Sequence, residues 1–291
     1  MRTKHYLITG MLGIAFVGMI VTGCRKDTNS SNPATVDSDA TPAQDEANGT
    51  YVVNDSKNIS DGSARGTATE RTLGMCATWT RRDTVIGSVT DTLIDIYFTG
   101  SCVSPDGRTR KGHILVMWNG KGYFDSAAAI TMTWKNYSVT TLTGTVIGVS
   151  GIRTLTNTGK DSLGDNSWSY TANLTLTYST GGTATWVASR TNTLTKIKGI
   201  WYYMISGSGS GVSKSGVSYT VTITSPLYWT AYWLNLLMGN KICDCFEAGA
   251  ETFTRSNKAY PLYLTFTSGV GNCNHTAIAT INGTVYPIIL P

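Results

Sequence analysis

The residues able to do chemistry are few, and most are cysteine, histidine or aspartate. Six cysteines occur in 291 residues. Cys243-Asp244-Cys245 and Cys273-Asn274-His275 offer three thiols and an imidazole, ligand types that suit Zn²⁺. The spacing is looser than in usual zinc motifs, and in an oxidising compartment the same thiols form disulfides. No metal or other cofactor is therefore expected, with Cys243, Cys245, Cys273 and His275 as the weaker alternative. The only other histidine beyond residue 24 is His113. Asp83, Asp91, Asp95 and Asp125 could supply the two carboxylates of a glycoside hydrolase, but nothing in their spacing pairs them. No Gly-x-Ser-x-Gly elbow is present. Gly207-Ser208-Gly209-Ser210-Gly211 lacks the Lys-Ser/Thr pair of a phosphate loop and reads as a turn. No catalytic residue is expected, and a hydrolase stays only as an alternative.

Binding chemistry has two candidate places. Arg108, Arg110 and Lys111 follow Asp106-Gly107 and could grip a phosphate or a glycan carboxylate, although a solvated hairpin tip is the plainer reading. Residues 227–239, LYWTAYWLNLLMG, are apolar on every side. They could be a buried strand pair, a short helix, or an exposed lip presenting Trp229, Tyr232 and Trp233. Burial is preferred.

The amino terminus decides the compartment. A basic head, Met1-Arg2-Thr3-Lys4-His5, precedes an uncharged apolar run from Tyr6 to Ile20 and then Val21-Thr22-Gly23-Cys24. That is the layout of a secretory signal. The last four residues resemble the lipobox of bacterial lipoproteins, which implies lipidation of Cys24 and removal of residues 1–23. An uncleaved transmembrane helix is less favoured, because four glycines interrupt a run of marginal length. Residues 24–70 are rich in Asp, Asn, Ser and Thr, and read as a disordered tether, reaching roughly 35–40 Å as a coil.

Residues 71–291 read as a single all-β domain. Charged residues are only 14% of the chain, against about 25% in ordinary soluble domains. From about residue 71 the hydrophobic period is two. Trp168, Tyr170, Ala172, Leu174, Leu176 and Tyr178 alternate with Ser, Thr and Asn, and similar runs surround Ile130, Val217 and Leu262. Asp106-Gly107, Asn119-Gly120, Gly181-Gly182 and Asn282-Gly283 mark turns between them. The pattern predicts a long antiparallel meander of about ten to fourteen strands, forming a sandwich or an open barrel. Residues 24–70 hold eight acidic and four basic side chains, while 71–291 hold 10 acidic and 17 basic ones. A basic body could attract anionic polymers, but so modest an excess over so large a surface carries little meaning.

A cysteine module occurs twice. Cys76 and Cys102 are 26 apart, and Cys245 and Cys273 are 28 apart. Each pair brackets a strand ending in aromatic-Thr-Gly or aromatic-Thr-Ser-Gly, and each is followed by a strand and an Asn-Gly turn. The repeat predicts disulfides Cys76–Cys102 and Cys245 (or Cys243)–Cys273, with an odd thiol left over.

Three stretches carry a wider likeness: IYFTGSCVSPDGRTRKGHILV (96–116), SGVSYTVTITSPL (215–227) and LTFTSGVGNCNHTAIATINGTVYPIIL (264–290). Together they resemble an uncharacterised family of Bacteroidota (Gram-negative) lipoproteins with an all-β body. The resemblance covers most of residues 76–291 and implies fold and location, but no activity. Residues 227–239 depart from the more polar linker expected there. The expectation is a protein lipid-anchored to the outer membrane, on the cell surface or the periplasmic face. It would be a non-catalytic binding module for polysaccharide or another envelope component, or a structural envelope protein, and not a nucleic-acid binder.

Overall fold

The computed structural model describes residues 38–65, 76–86, 89–160, 165–239, 246–267, 269–270 and 275–290. Residues 1–37, which hold the expected signal segment and Cys24, lie outside them, as do Cys243, Cys245 and Cys273.

Thirteen strands follow one another: β1 (Ala77–Ile86), β2 (Val89–Val103), β3 (Thr109–Asn119), β4 (Ala129–Thr140), β5 (Val146–Lys160), β6 (Asn166–Tyr178), β7 (Thr183–Ile197), β8 (Ile200–Val212), β9 (Ser218–Thr230), β10 (Phe246–Arg255), β11 (Leu262–Phe266), β12 (Thr276–Ile281) and β13 (Thr284–Ile289). They form one sheet in sequence order, each antiparallel to the next, with β1 and β13 at its two edges. This is the expected meander, as a single unclosed sheet and not a sandwich. All four predicted turns fall between consecutive strands. Two-residue alternation buries Trp168, Tyr170, Leu174, Trp186, Phe253 and Leu264 on one face, each such side chain contributing about 1.5–3 kcal/mol. Cys76 and Cys102 form a disulfide with Cα atoms 5.2 Å apart, at the base of the β1–β2 hairpin.

The tether reading of residues 24–70 fails over Thr41–Ala64. These residues form a 24-residue helix, α1, buried along nearly its whole length. It is barely amphipathic, since Asp45, Glu46, Asn54, Asp55, Lys57 and Asp61 are as buried as Tyr51, Val52 and Val53. A helix polar all round cannot stand on an apolar stripe. It is stable here because the inner face of the sheet surrounds it and supplies partners to many of its polar groups, while others pair along the helix.

Partners come from strand after strand. On β3, Arg110 makes a bidentate pair with Asp55 (3.0 and 2.8 Å) and also binds Asp106. Trp134 of β4 donates to Ser56 Oγ (3.0 Å), and Arg153 of β5 donates to Val53 O (2.5 Å). On β7, Trp186 donates to Glu46 (2.9 Å), Arg190 binds Glu46 and Thr50, and Asn192 donates to Asn54 (3.2 Å). Lys57 binds Asp61 (2.6 Å) between the rings of Trp168 and Tyr203, and Asp61 also accepts from the hydroxyls of Tyr123 and Tyr203. From the far edge, Ile289 O of β13 accepts from Gln44 (2.7 Å).

Glycine sets the fit at two places. A Cβ on Gly49 of α1 would stand 2.6 Å from the Trp186 ring, so only glycine lets helix and sheet approach this closely. Gly207-Ser208-Gly209-Ser210-Gly211 is not the turn expected but part of the second half of β8. Added Cβ atoms there would lie 2.4 Å from Ser189 O and 3.1 Å from Arg190 Cγ at Gly207, and 2.2 Å from Thr185 O and 2.9 Å from the Tyr219 hydroxyl at Gly211. The glycines let β8 lie close against the β7 backbone and leave room for those inward side chains.

Candidate outer-face binding site

Several expected site residues are structural. Arg108 and Arg110 are not at a solvated hairpin tip: both are buried. The Arg108 guanidinium lies over the Tyr51 ring at 4.7 Å, while burial opposes the Arg110 charge and is outweighed by Asp106 and Asp55, raising its pKa. Helix α1 accounts for the difference, since its Asp55 pairs with Arg110 and its Tyr51 ring lies against Arg108, while Asp106 binds both arginines. Lys111 alone of the three is exposed. Trp229 is no contact surface either, because it is buried against Phe246 and Tyr51, with ring centroids at 4.6 and 5.6 Å. Tyr232 opens a one-turn helix, α2 (Tyr232–Leu237), and is half-buried; the side chain of Trp233 lies outside the described residues. Residues 227–239 are thus the end of β9 followed by a short helix.

The carboxylates form no hydrolase pair. Asp83 projects from the opposite face of the β1–β2 hairpin to Asp91 and Asp95, and accepts from Thr92 Oγ1 (2.8 Å). Asp91 and Asp95 are four residues apart on β2, about 13 Å, beyond the reach of either glycosidase geometry. Asp125 caps its own turn through the Gly122 amide (2.7 Å). His113 does meet a carboxylate, with Nδ1 2.7 Å from Asp95 Oδ1 and its ring 4.7 Å from Tyr97, on the half-exposed outer face of β2 and β3. His275 is held neutral, its pKa lowered to about 4 by burial and by Arg108. Among the described residues no cluster of three or more His, Cys, Asp or Glu could hold a metal ion.

The feature sequence reading passed over is the outer face of β5–β9. Residues directly opposite one another form a row that crosses this face and reaches β4 and β10, seven strands in all: Thr131, Thr154, Thr171, Ser189, Ser208, Thr222 and Thr252. With strands ~4.8 Å apart, the row is roughly 29 Å long. Thr154 and Thr171 hydroxyls are hydrogen-bonded at 2.8 Å. On one side lies the row Ile152, Asn173, Val187, Ser210, Thr220, and on the other Thr156, Ser169, Thr191, Ser206.

Two adjoining depressions of about 570 and 380 Å³ run along these rows and share Thr154, Thr171 and Ser189. The charged residues of β5–β9 are Arg153 and Arg190, which point inward, and Lys160 and Lys196 near strand ends. The trough therefore presents hydroxyls, one amide and the half-exposed aliphatic groups of Ile152 and Val187, with no charge. Such a surface can exchange neutral hydrogen bonds and cover apolar C–H. The signal was visible as Thr and Ser at alternate positions; what it lacked was the register that aligns them. No protein-family model, curated protein or solved structure matches the chain.

Proposed function

We propose that this chain is a lipid-anchored envelope protein whose outer sheet face, β5–β9, binds a neutral polysaccharide without catalysis. The uncharged hydroxyl row supports this reading most directly. A neutral glycan presents hydroxyls that both donate and accept, and Ser and Thr answer both roles. The row's length suits a polymer rather than a single sugar. Five arginines of the basic body, Arg108, Arg110, Arg153, Arg190 and Arg255, are buried. Five of the body's 17 basic side chains are therefore withheld from the surface, which weakens the case for an anionic polymer. The anchor rests on the lipobox-like Val21-Thr22-Gly23-Cys24 and the signal before it. No described helix is long and apolar enough to cross a membrane.

Affinity electrophoresis tests the binding. Migration through gels containing soluble glucan, mannan or xylan should be retarded, and Ser208→Glu, in mid-row, should remove the retardation. Unretarded migration in all three, or equal retardation of the variant, would reject the site. Incorporation of a palmitate analogue that Cys24→Ser abolishes would test the anchor.

A further inference from the structure

The two edges of the sheet are built differently. The edge strand β13 is six residues long and contains Pro287, which has no N–H to offer a further strand. Short length and proline are the usual protections of an exposed edge. The other edge, β1, is ten residues long, has no proline, and pairs with β2 from Ala77 to Ile86 without a bulge. Among the described residues it has a strand partner on one side only. From Thr78 to Val85 every residue is exposed or half-buried, and Val85 is 69% exposed. The Cys76–Cys102 disulfide ties down the start of this strand.

Charges on an edge ordinarily repel other strands, but those of β1 are mixed: Arg81, Arg82, Asp83. Two antiparallel copies related by a two-fold axis align residues of equal parity, so each candidate register centres on one residue. Centring on Arg81 or Asp83 sets like charges face to face on the inner side. Centring on Arg82 sets Arg81 opposite Asp83 of the second copy twice, Trp79 opposite Val85 twice and Thr80 opposite Thr84 twice. Its one like-charged pair, Arg82 with itself, lies on the outer side, where water screens it. Opposite charges, aromatic–β-branched pairs and Thr–Thr pairs are the favourable cross-strand neighbours.

We propose that β1 is a self-pairing edge that joins two copies of this chain, antiparallel and centred on Arg82, into one continuous sheet. The occupant is a second copy because the charge pattern of the strand complements itself.

The test uses the full chain in detergent. Light scattering across a concentration series should show a monomer–dimer equilibrium. On mild oxidation Arg82→Cys should give a covalent dimer beyond any formed by the parent chain, since directly opposed Cα atoms lie ~4.5–5.5 Å apart, within disulfide reach. Thr80→Cys should not, because the two copies of that position would be about 13 Å apart. Arg81→Asp should weaken dimerisation roughly tenfold, and adding Asp83→Arg should restore it. A monomer at every concentration overturns the proposal. So does cross-linking at Thr80→Cys equal to that at Arg82→Cys, or a charge swap that restores nothing. An edge used by a different protein's strand would also give the monomer result.

Discussion

The inner and outer faces of the sheet keep apolar residues inside, as antiparallel sheets do, but reverse the usual placement of charge, which ordinarily faces out. Here Arg110, Arg153, Arg190, Glu251 and Arg255 face in, while the middle of the outer face carries serine and threonine. Helix α1 explains the reversal. Its buried carboxylates and amides must be hydrogen-bonded, and what neighbours along the helix do not supply, as Lys57 does for Asp61, the sheet must. The outer face has no such demand and needs only solubility, which hydroxyls provide. One face is therefore committed to structure and the other is free to take a ligand.

Neighbouring residues on β7 give the strongest test of that contrast. Arg190 lies inside, bound to Glu46 and Glu251, with its own pKa raised because Glu46 outweighs the cost of burial. Arg190→Met would leave the buried Glu46 carboxylate without its cation and should cost about 3–5 kcal/mol in urea unfolding. Ser189→Ala, one residue away on the outer face, should stay within about 0.5 kcal/mol. Similar losses for the two would erase the distinction. A smaller effect is expected at Gly49. Glycine to alanine in a helix normally stabilises by about 1 kcal/mol, but here the added methyl meets the Trp186 ring. Overpacking of about 1–3 kcal/mol should win, giving a net loss. A thermal melt that rises would show that the helix is not seated against Trp186.

The strands were legible in the sequence because their signal is local: Trp168 to Tyr178 alternate whatever lies elsewhere in the chain. Helix α1 was not. Its apolar residues, Tyr51, Val52, Val53 and Ile59, keep no helical period, and its N-cap Ala40 makes no side-chain capping bond. The partners that stabilise it are distant, with Arg190 144 residues beyond Glu46. Arg108 and Arg110 were misplaced for the same reason, as the acids that bury them belong partly to that helix. The hydroxyl row needed cross-strand register, which periodicity along one strand cannot supply. The Cys76–Cys102 bridge, by contrast, showed in the repeated spacing.

The inner face should also carry the pH dependence. Burial and the nearby charge of Glu46, opposed by Arg190, push Glu251 up to about 8 from an ordinary 4.5. The folded state then holds a proton that the unfolded state releases, so stability falls as pH rises from about 4.5 to about 8. His275 works in the other direction. Held at about 4 against an ordinary 6.5, it is neutral when the unfolded chain is protonated, so its contribution falls as pH drops from 6.5 to 4. The two slopes oppose each other between about 4.5 and 6.5, leaving the Glu251 slope alone above that. Glu251→Gln should flatten the decline between pH 6.5 and 8 in chemical unfolding, and an unchanged profile would mean that Glu251 is ionised inside the protein. No outer-face substitution in the hydroxyl row should alter it.

The smallest structural effect is expected on the outer face, and there it separates stability from binding. Thr171 sits in mid-row, exposed, with its hydroxyl 2.8 Å from that of Thr154. Thr171→Val keeps the β-branched shape, and the orphaned Thr154 hydroxyl turns to water, so stability should change by no more than about 0.5 kcal/mol. A glycan lying in the trough would lose one donor and acceptor in a place water no longer fills. Removing one partner of a hydrogen bond desolvated by binding costs about 1–3 kcal/mol, so retardation in a glycan gel should weaken at least severalfold while the unfolding midpoint stays fixed. If the midpoint moves and the retardation does not, the hydroxyl row serves the fold, and the two faces of the sheet divide the work differently.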